Sequence, residues 1–319
     1  MPVVNIKQLR IISEIARHEL NVSRTATALH ASQPGVTMQI QRLEAELGLE
    51  LFVRKNNRLT QITPAGQHVI ERAERALLEI DGIREIGREH SKDESGTLVV
   101  AASHGQARHT LPAAIRKFEQ RHPKVRVRVE HGTRRQLVPL LMGGEAHIGV
   151  MSDVDDLAER LILMECARSR RIVLVPQRHR LLRKEILTLS MLAEYPIVLY
   201  EPAYPSGYIA GVFDAHGIAL ERILLAPNSD VMKAYVEQGL GISVLPAFVF
   251  DPKRDTRLRA IDVSHLFRPS ITHVMLHRKQ FLRGYAYAFI ETLSPRLTRQ
   301  AVEEAMACRT INTAEPQPP

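Results

Sequence analysis

The chain has 319 residues, 45% of them hydrophobic, which is enough for more than one domain with its own core. Its net charge of +8 favours an anionic partner, and no apolar run approaches the roughly 18 residues a membrane span needs. The 2 cysteines, Cys166 and Cys308, lie far apart without a CxxC pattern, which argues against a disulfide framework or a thiolate metal site and leaves a redox pair between them as the alternative. The N-terminal stretch MPVVNIKQLRIISEIARHEL mixes charge into its apolar residues and reads as amphipathic helix rather than export signal, which sets a cytoplasmic expectation. Asn5 to Glu19 forms that helix, with Leu9, Ile12, Ile15 and Ala16 on its inner face.

Leu20 to Gly48, LNVSRTATALHASQPGVTMQIQRLEAELG, predicts two short helices joined by a tight turn. Ser23 is expected to cap the first, whose apolar face comes from Ala26, Ala28 and Leu29. Ser32 caps the second, and Pro34 sits early in it, where its missing N–H costs nothing. Val36, Ile40, Leu43 and Leu47 recur at helical spacing as a buried stripe. The opposite face shows Gln33, Thr37, Met38, Gln41 and Arg42, side chains mostly able to pair with base edges and phosphates. Leu51-Phe52-Val53 then leads into RKNNRLTQITPAG, two short extended runs about a basic turn, the pattern of a hairpin wing. Helix-turn-helix, wing and a long following helix, in that order, resemble the LysR-type bacterial transcription regulators. The expected DNA-facing set is Ser23, Thr25, Ser32, Gln33, Pro34, Thr37, Met38, Arg42, Arg54, Lys55 and Arg58. Among these, Gln33, Pro34, Thr37 and Met38 are the expected base readers, and Arg54, Lys55 and Arg58 follow the sugar-phosphate backbone.

Thr63 caps and Pro64 opens a long helix that runs to about His90. Ile70, Ala73, Leu77, Ile80 and Ile83 make one apolar seam along it, and nothing nearby in sequence covers that seam. Pairing with its own copy is therefore expected, since two-fold DNA half-sites call for a two-fold protein. SKDESG follows as a polar hinge.

From Thr97 the periodicity becomes that of alternating strands and helices. TLVVAAS, VRVRVEHG and HIGVMS are strands, with helices at His109 to Arg121 and Arg134 to Gly143 between them. A second unit follows with RIVLVP, PIVLY, RILLAP and GISVLP as strands and helices at 189–194, 206–216 and 230–238. THVMLHR and the helix Phe281 to Leu293 return to the first unit. A mainly parallel sheet is expected in each. Two such lobes resemble the periplasmic-binding-protein-like effector domain of the same regulators. The fold class is then α+α/β, with boundaries at 1–63 (winged helix-turn-helix), 64–94 (linker helix and hinge), 95–165 with 268–300 (first lobe) and 166–267 (second lobe). Residues 301–319 form a terminal helix and a polar, proline-rich tail.

In open α/β sheets ligands bind beyond the C-terminal strand ends. Those ends carry Ser103, His104, Gly105, Gln106, Thr133, Ser152 and, in the second lobe, Ser206 and Asn228. At each position helix capping is the competing reading. SHGQARHTLP, DVMKAYVEQGLGISVLP and FLRGYAYAFIETLSPRLTR, taken with the N-terminal motifs, resemble the CysB branch of the LysR family over nearly the whole chain before the tail. The resemblance implies control of sulfur assimilation or sulfur-source use. It also implies a sulfate-like anion, acetylserine or a related sulfur metabolite as effector, and a dimer of dimers; RNA polymerase is a further partner. It carries the anion site onto Ser103, Gln106, Thr133 and Ser152. Three positions depart from the branch: Gly105 stands where a threonine is usual, Pro205 lacks a hydroxyl that Ser206 can replace, and Met38 stands where a basic side chain is common. Glu201, at a strand end, would repel an anion unless it points away.

No metal or resident cofactor is expected. Of the 14 histidines none falls in HExxH, and His273 and His277 lie four apart on a strand, about 13 Å along it. An enzyme reading would pair Ser103 with His104, but adjacent strand residues point to opposite faces and no orienting carboxylate is evident. A solute-binding protein without a DNA function leaves the N-terminal helices unexplained.

Overall fold

The computed structural model describes residues 4–56, 58–90, 95–154 and 161–307. The chain divides into two compact units, the first built on residues 1–93 and the second on the greater part of 94–319. Residues 91–94 of the expected hinge, Cys308 and the polar tail lie outside the described residues.

The first unit contains α1 (Ile6–Arg17), α2 (Val22–Ala28), α3 (Gln33–Leu47), β1 (Phe52–Lys55), β2 (Arg58–Ile62) and α4 (Pro64–His90). Asn5 and Gln8 form a reciprocal capping box at the start of α1. The cap of α2 is Asn21, not Ser23: the Asn21 side chain accepts from the Arg24 N–H at 3.0 Å. Glu19 and Leu20 adopt φ of 52° and 65°, and this left-handed turn sets Asn21 in the extended conformation a cap requires. Ser23 thus falls inside the first turn. Ala28 is exposed, and the inner face of α2 is made by Val22, Ala26 and Leu29. Ser32 caps α3, its hydroxyl accepting from the Gly35 N–H at 3.2 Å, and Gly48 at φ 64° ends it.

One core of Ile11, Ile12, Ile15, Ala26, Val36, Ile40, Leu43, Leu51, Phe52, Ile70 and Ala73 joins all six elements but β2, whose Leu59 and Ile62 pack at its margin. The Thr63 hydroxyl accepts from the Gly66 N–H at 2.9 Å and donates to the Glu50 carbonyl at 2.7 Å, so α4 starts where the wing ends. Gly66 lies against the backbone carbonyl of Leu51, where any Cβ would collide.

The second unit opens with β3 (Gly96–Ser103), α5 (His104–His109), α6 (Leu111–Arg121), β4 (Val125–Gly132), α7 (Arg134–Met142), β5 (Ile148–Ser152) and β6 (Leu161–Ser169). It continues with β7 (Arg171–Pro176), α8 (Leu189–Ala193), β8 (Ile197–Tyr200), α9 (Tyr208–Ala215), β9 (Ile223–Ala226), α10 (Ser229–Glu237), β10 (Ser243–Pro246) and β11 (Leu258–Asp262). The chain then returns through β12 (Ser270–His277), α11 (Gly284–Leu293) and α12 (Arg299–Ala307).

The first lobe is a five-stranded sheet in the order β4-β3-β5-β12-β6, parallel among β3, β4 and β5 and antiparallel across β12. Its strand β6, absent from the sequence reading, carries the first lobe's sheet to Ser169, past the expected boundary at 165. The second lobe departs from the expected parallel sheet. There β7 pairs antiparallel with both β10 and β11, while β8 pairs parallel with β9 and, through a single Ile197–Ile242 bridge, with the residue just before β10. The cause is topological: β10 and β11 both start beside the C-terminal end of β7 and run back along it, and apolar runs such as RIVLVP and GISVLP carry no mark of strand direction. Two cores flank these strands, one around Phe213, Phe267 and Val244 and one around Met232, Val236 and Leu258.

Candidate functional site

The first candidate surface is the outer face of α2, α3 and the wing. Gln33, Pro34, Thr37, Met38, Gln41 and Arg42 are exposed on α3, with Ser23 and Ser32 exposed beside them. Lys55 and Arg58 are exposed on the two wing strands, which pair with a register shift at Val53 and Arg54. Thr25 does not belong to this face. It is fully buried, and its hydroxyl donates to the Asn21 carbonyl at 3.0 Å, so it packs the helix pair together.

Arg54 is committed as well. Its Nη2 lies 2.5 Å from Glu44 Oε2, while Glu44 Oε1 accepts from the backbone N–H groups of Leu51 and Phe52 at 2.9 and 3.2 Å. A buried carboxylate on the reading helix thus fastens the first strand of the wing through three donors. Sequence reasoning missed Glu44, because its partners lie seven to ten residues on and no helical spacing announces them.

The second candidate surface lies between the lobes. Ser103 ends β3 and His104 begins α5, so the two are not neighbours on one strand as the sequence suggested. Gln106 turns inward and is buried. Its amide nitrogen donates to the hydroxyls of Ser152 at 2.7 Å and Thr272 at 2.8 Å, and those hydroxyls are 3.0 Å from each other. The other polar atom of that amide is buried with no partner among the described residues. Thr272 was not foreseen; it arrives from β12, the returning strand.

Thr133 and Asn228 are engaged locally. The Thr133 N–H and hydroxyl both donate to Gln136 Oε1, and Asn228 caps α10 by accepting from the Asp230 and Val231 N–H groups. For Asn228 the capping alternative holds, whereas the Thr133 hydroxyl caps no helix N–H and is taken up by Gln136. Ser206 is exposed in the turn before α9. Gly105 faces the second lobe: a Cβ there would sit 3.6 Å from both Phe248 and Val249. The hydroxyl lost at this position is therefore not replaced by open space.

Charged groups close the arrangement. Asp230, in the first turn of α10, receives His104 Nε2 and Arg108 Nε from α5, each at 3.0 Å. Burial pushes its carboxyl up, but the His104 hydrogen bond and the Arg108 and Lys233 charges bring it below the usual aspartate value. The Lys233 ammonium is held by Asp255 at 3.1 Å and by the Val249 carbonyl at 3.0 Å. Burial and the Lys233 charge lower the His109 pKa. At the crossover between lobes, buried Arg171 pairs with Asp153, whose carboxylate also accepts from Ser270. Burial raises the Cys166 thiol to about 11, so it stays protonated at neutral pH. Among the described residues no cluster of histidine, cysteine or acidic side chains could hold a metal ion, and no helix is long and apolar enough to cross a membrane.

These features recur in known proteins. Residues 6–67 match the bacterial regulatory helix-turn-helix protein, lysR family, and residues 91–298 match the LysR substrate binding domain. The chain is 39% identical over 300 residues to the HTH-type transcriptional regulator SsuR of Burkholderia cenocepacia, covering 94% of this chain and 97% of that one. It is 35% identical over 304 residues to the HTH-type transcriptional regulator CysB of the same organism, covering 95% and 97%. The crystal structure of the cofactor-binding domain of the Cbl transcriptional regulator superposes at a TM-score of 0.63 and 31% identity, over 68% of this chain and 96% of that one. Full-length CbnR complexed with its target DNA shares the fold at a TM-score of 0.59 and 22% identity, over 92% of this chain and 100% of that one. A helix-turn-helix with a wing, joined to two α/β lobes and matched by these relatives over almost its whole length, places the chain in the LysR family of DNA-binding, effector-responsive transcription regulators, in its CysB-like branch.

Proposed function

We propose that this regulator controls genes of sulfur-source use and that its effector is a small polar anion or sulfur metabolite held between the lobes at Ser103, Gln106 and Ser152. The observation that carries this reading is the amide–hydroxyl cluster of Gln106, Ser152 and Thr272, with one buried amide atom left without a partner. Buried polar groups are nearly always paired, and the hydroxyl of Ser229 at the start of α10 is orphaned in the same way. The free Gln106 atom is the amide oxygen, an acceptor, so it suits a ligand that carries a donor beside its negative charge, as the ammonium of acetylserine would. Sulfate is one member of the class; Gly105 beside Phe248 and Pro205 in place of a hydroxyl favour an organic anion such as acetylserine or a sulfonate as strongly.

Ser103→Ala is expected to weaken effector binding about tenfold, the ~1.4 kcal/mol of one hydrogen bond to a charged group, while operator affinity without effector stays unchanged. Calorimetry with whichever of sulfate, thiosulfate, acetylserine or sulfonate shifts the melting temperature measures this. An unaltered affinity removes the site from the crevice.

DNA binding rests on Gln33, Pro34, Thr37 and Met38 at base edges and on Lys55 and Arg58 at phosphates. Arg58→Ala should reduce the slope of log affinity against log salt by about one unit. A slope equal to that of the parent protein would take Arg58 off the backbone. Two protomers would pair through α4 to present two reading heads, and a dimer of dimers and contact with RNA polymerase would complete the assembly. The effector would act by binding one lobe arrangement more tightly than another.

A further inference from the structure

His104 and Arg108 lie one turn apart on α5, so their side chains leave the same face of the helix. Gln106 leaves the other face, toward Ser152 and Thr272. The first face looks across at the second lobe, and there both donors converge on one oxygen, Asp230 Oδ2. The charges around this point are few and can be assigned. Lys233 lies 3.8 Å from the other Asp230 oxygen but is closer to Asp255, at 3.1 Å. His131, on the neighbouring strand β4, stacks its edge against His104 with ring centres 5.9 Å apart. His109, on α5 itself, meets Phe248 of the second lobe.

The Arg108 side chain is 51% exposed and that of Asp230 31%, so solvent screens this pair and it is readily exchanged. A carboxylate in such a contact has the same recognition chemistry as a small anion: acceptor oxygens and negative charge presented to an imidazole and a guanidinium.

We propose that Asp230 is an internal competitor for an anionic effector. Its carboxylate holds His104 and Arg108, and an anion reaching α5 takes these donors over, so Asp230 sets the concentration at which the regulator responds. The inference rests on the proposal that the effector is an anion held between the lobes, and it adds His104, Arg108 and Asp230 to the groups that decide its affinity.

The test is calorimetric titration of the full-length protein with sodium sulfate at constant ionic strength. Asp230→Asn keeps the shape and the hydrogen bonds of the side chain and removes its charge. It should bind sulfate about tenfold more tightly than the parent. Adding Arg108→Gln to that variant should abolish the gain, and a neutral solute such as glycerol should distinguish none of the three. An Asp230→Asn protein that melts like the parent and binds sulfate no more tightly overturns the proposal, as does a gain that survives Arg108→Gln. Ser103→Ala separates the two readings. A loss of affinity there with no gain in Asp230→Asn keeps the crevice and removes the competitor. A gain in Asp230→Asn with Ser103→Ala unchanged keeps the cation pair and displaces the anion from Ser103.

Discussion

Glu44→Ala is expected to destabilise the N-terminal unit by about 3 kcal/mol and to abolish operator binding at physiological salt. The Glu44 side chain, 9% exposed, satisfies the N–H groups of Leu51 and Phe52 and pairs with Arg54. Truncation leaves two backbone donors unpaired beneath the wing, each worth roughly 1–3 kcal/mol when buried, and removes the charge that orients Arg54. Part of that cost is relieved by water entering the gap, which is why the expected total lies near the lower end of the sum. In a unit of this size the loss corresponds to a fall in melting temperature of roughly 15 °C. Glu44→Gln separates structure from charge. It retains an acceptor for the two amides, so it should cost about 1 kcal/mol and leave the reading helix intact while loosening Arg54. Calorimetric melting with a salt series of operator titrations checks both variants. A Glu44→Ala protein that melts with the parent and binds operator equally well would show that the wing is fixed by Leu51 and Phe52 packing alone.

The contrast between Glu44 and its neighbours shows what the sequence could reveal. Val36, Ile40 and Leu43 are buried as their spacing predicts, since helical periodicity is a local property of the chain. Ser32 and Thr63 cap their helices because the residues that follow them, Pro34 and Pro64, leave one place for the helix to start. At α2 two residues able to cap stand close together, Asn21 and Ser23. The left-handed turn at Glu19 and Leu20 decided between them, and no residue preference announces that turn. Thr25 failed for a related reason: a polar residue can be buried when its hydroxyl returns to the carbonyl four residues back.

In the second unit strands were legible and their partners were not. LILMECARS has an apolar start and a charged end, and it becomes β6 only because β12 lies beside it. The same holds for the crevice. Ser103, Gln106 and Ser152 are candidates that their place at strand ends already suggests, whereas Thr272 and Asp230 come from segments more than a hundred residues away that read locally as strand interior and helix start. Spacing along the chain carries no information about such contacts; only the return of β12 and the facing of the two lobes creates them.

Replacing Ile83 and Ile86 together by glutamate is expected to break the pairing through α4, halving the mass of the assembly at micromolar concentration, and to lower operator affinity by about a hundredfold or more. Along α4 the seam loses its cover progressively: Ile70 and Ala73 are buried in the N-terminal core, Leu77 and Ile80 are half-covered, and Ile83 is 69% and Ile86 42% exposed. Two isoleucines bared on the last turns of a helix 27 residues long are the arrangement a second copy of the same helix would bury. Glutamate is a good helix former, so the substitution leaves α4 intact, and because both side chains face water the melting of a monomer should hardly change. What is lost is the coupling between two reading heads. When one head is bound, the other searches its half-site at an effective concentration that raises avidity by about 10²–10⁴ over a single head, and a monomer forfeits that factor whole. Analytical ultracentrifugation of the double variant, beside titration of a single half-site and a full operator, distinguishes the causes. Equal affinity for the half-site with a collapsed preference for the full operator is the expected pattern. A mass in the double variant equal to that of the parent would place the pairing surface elsewhere than on α4.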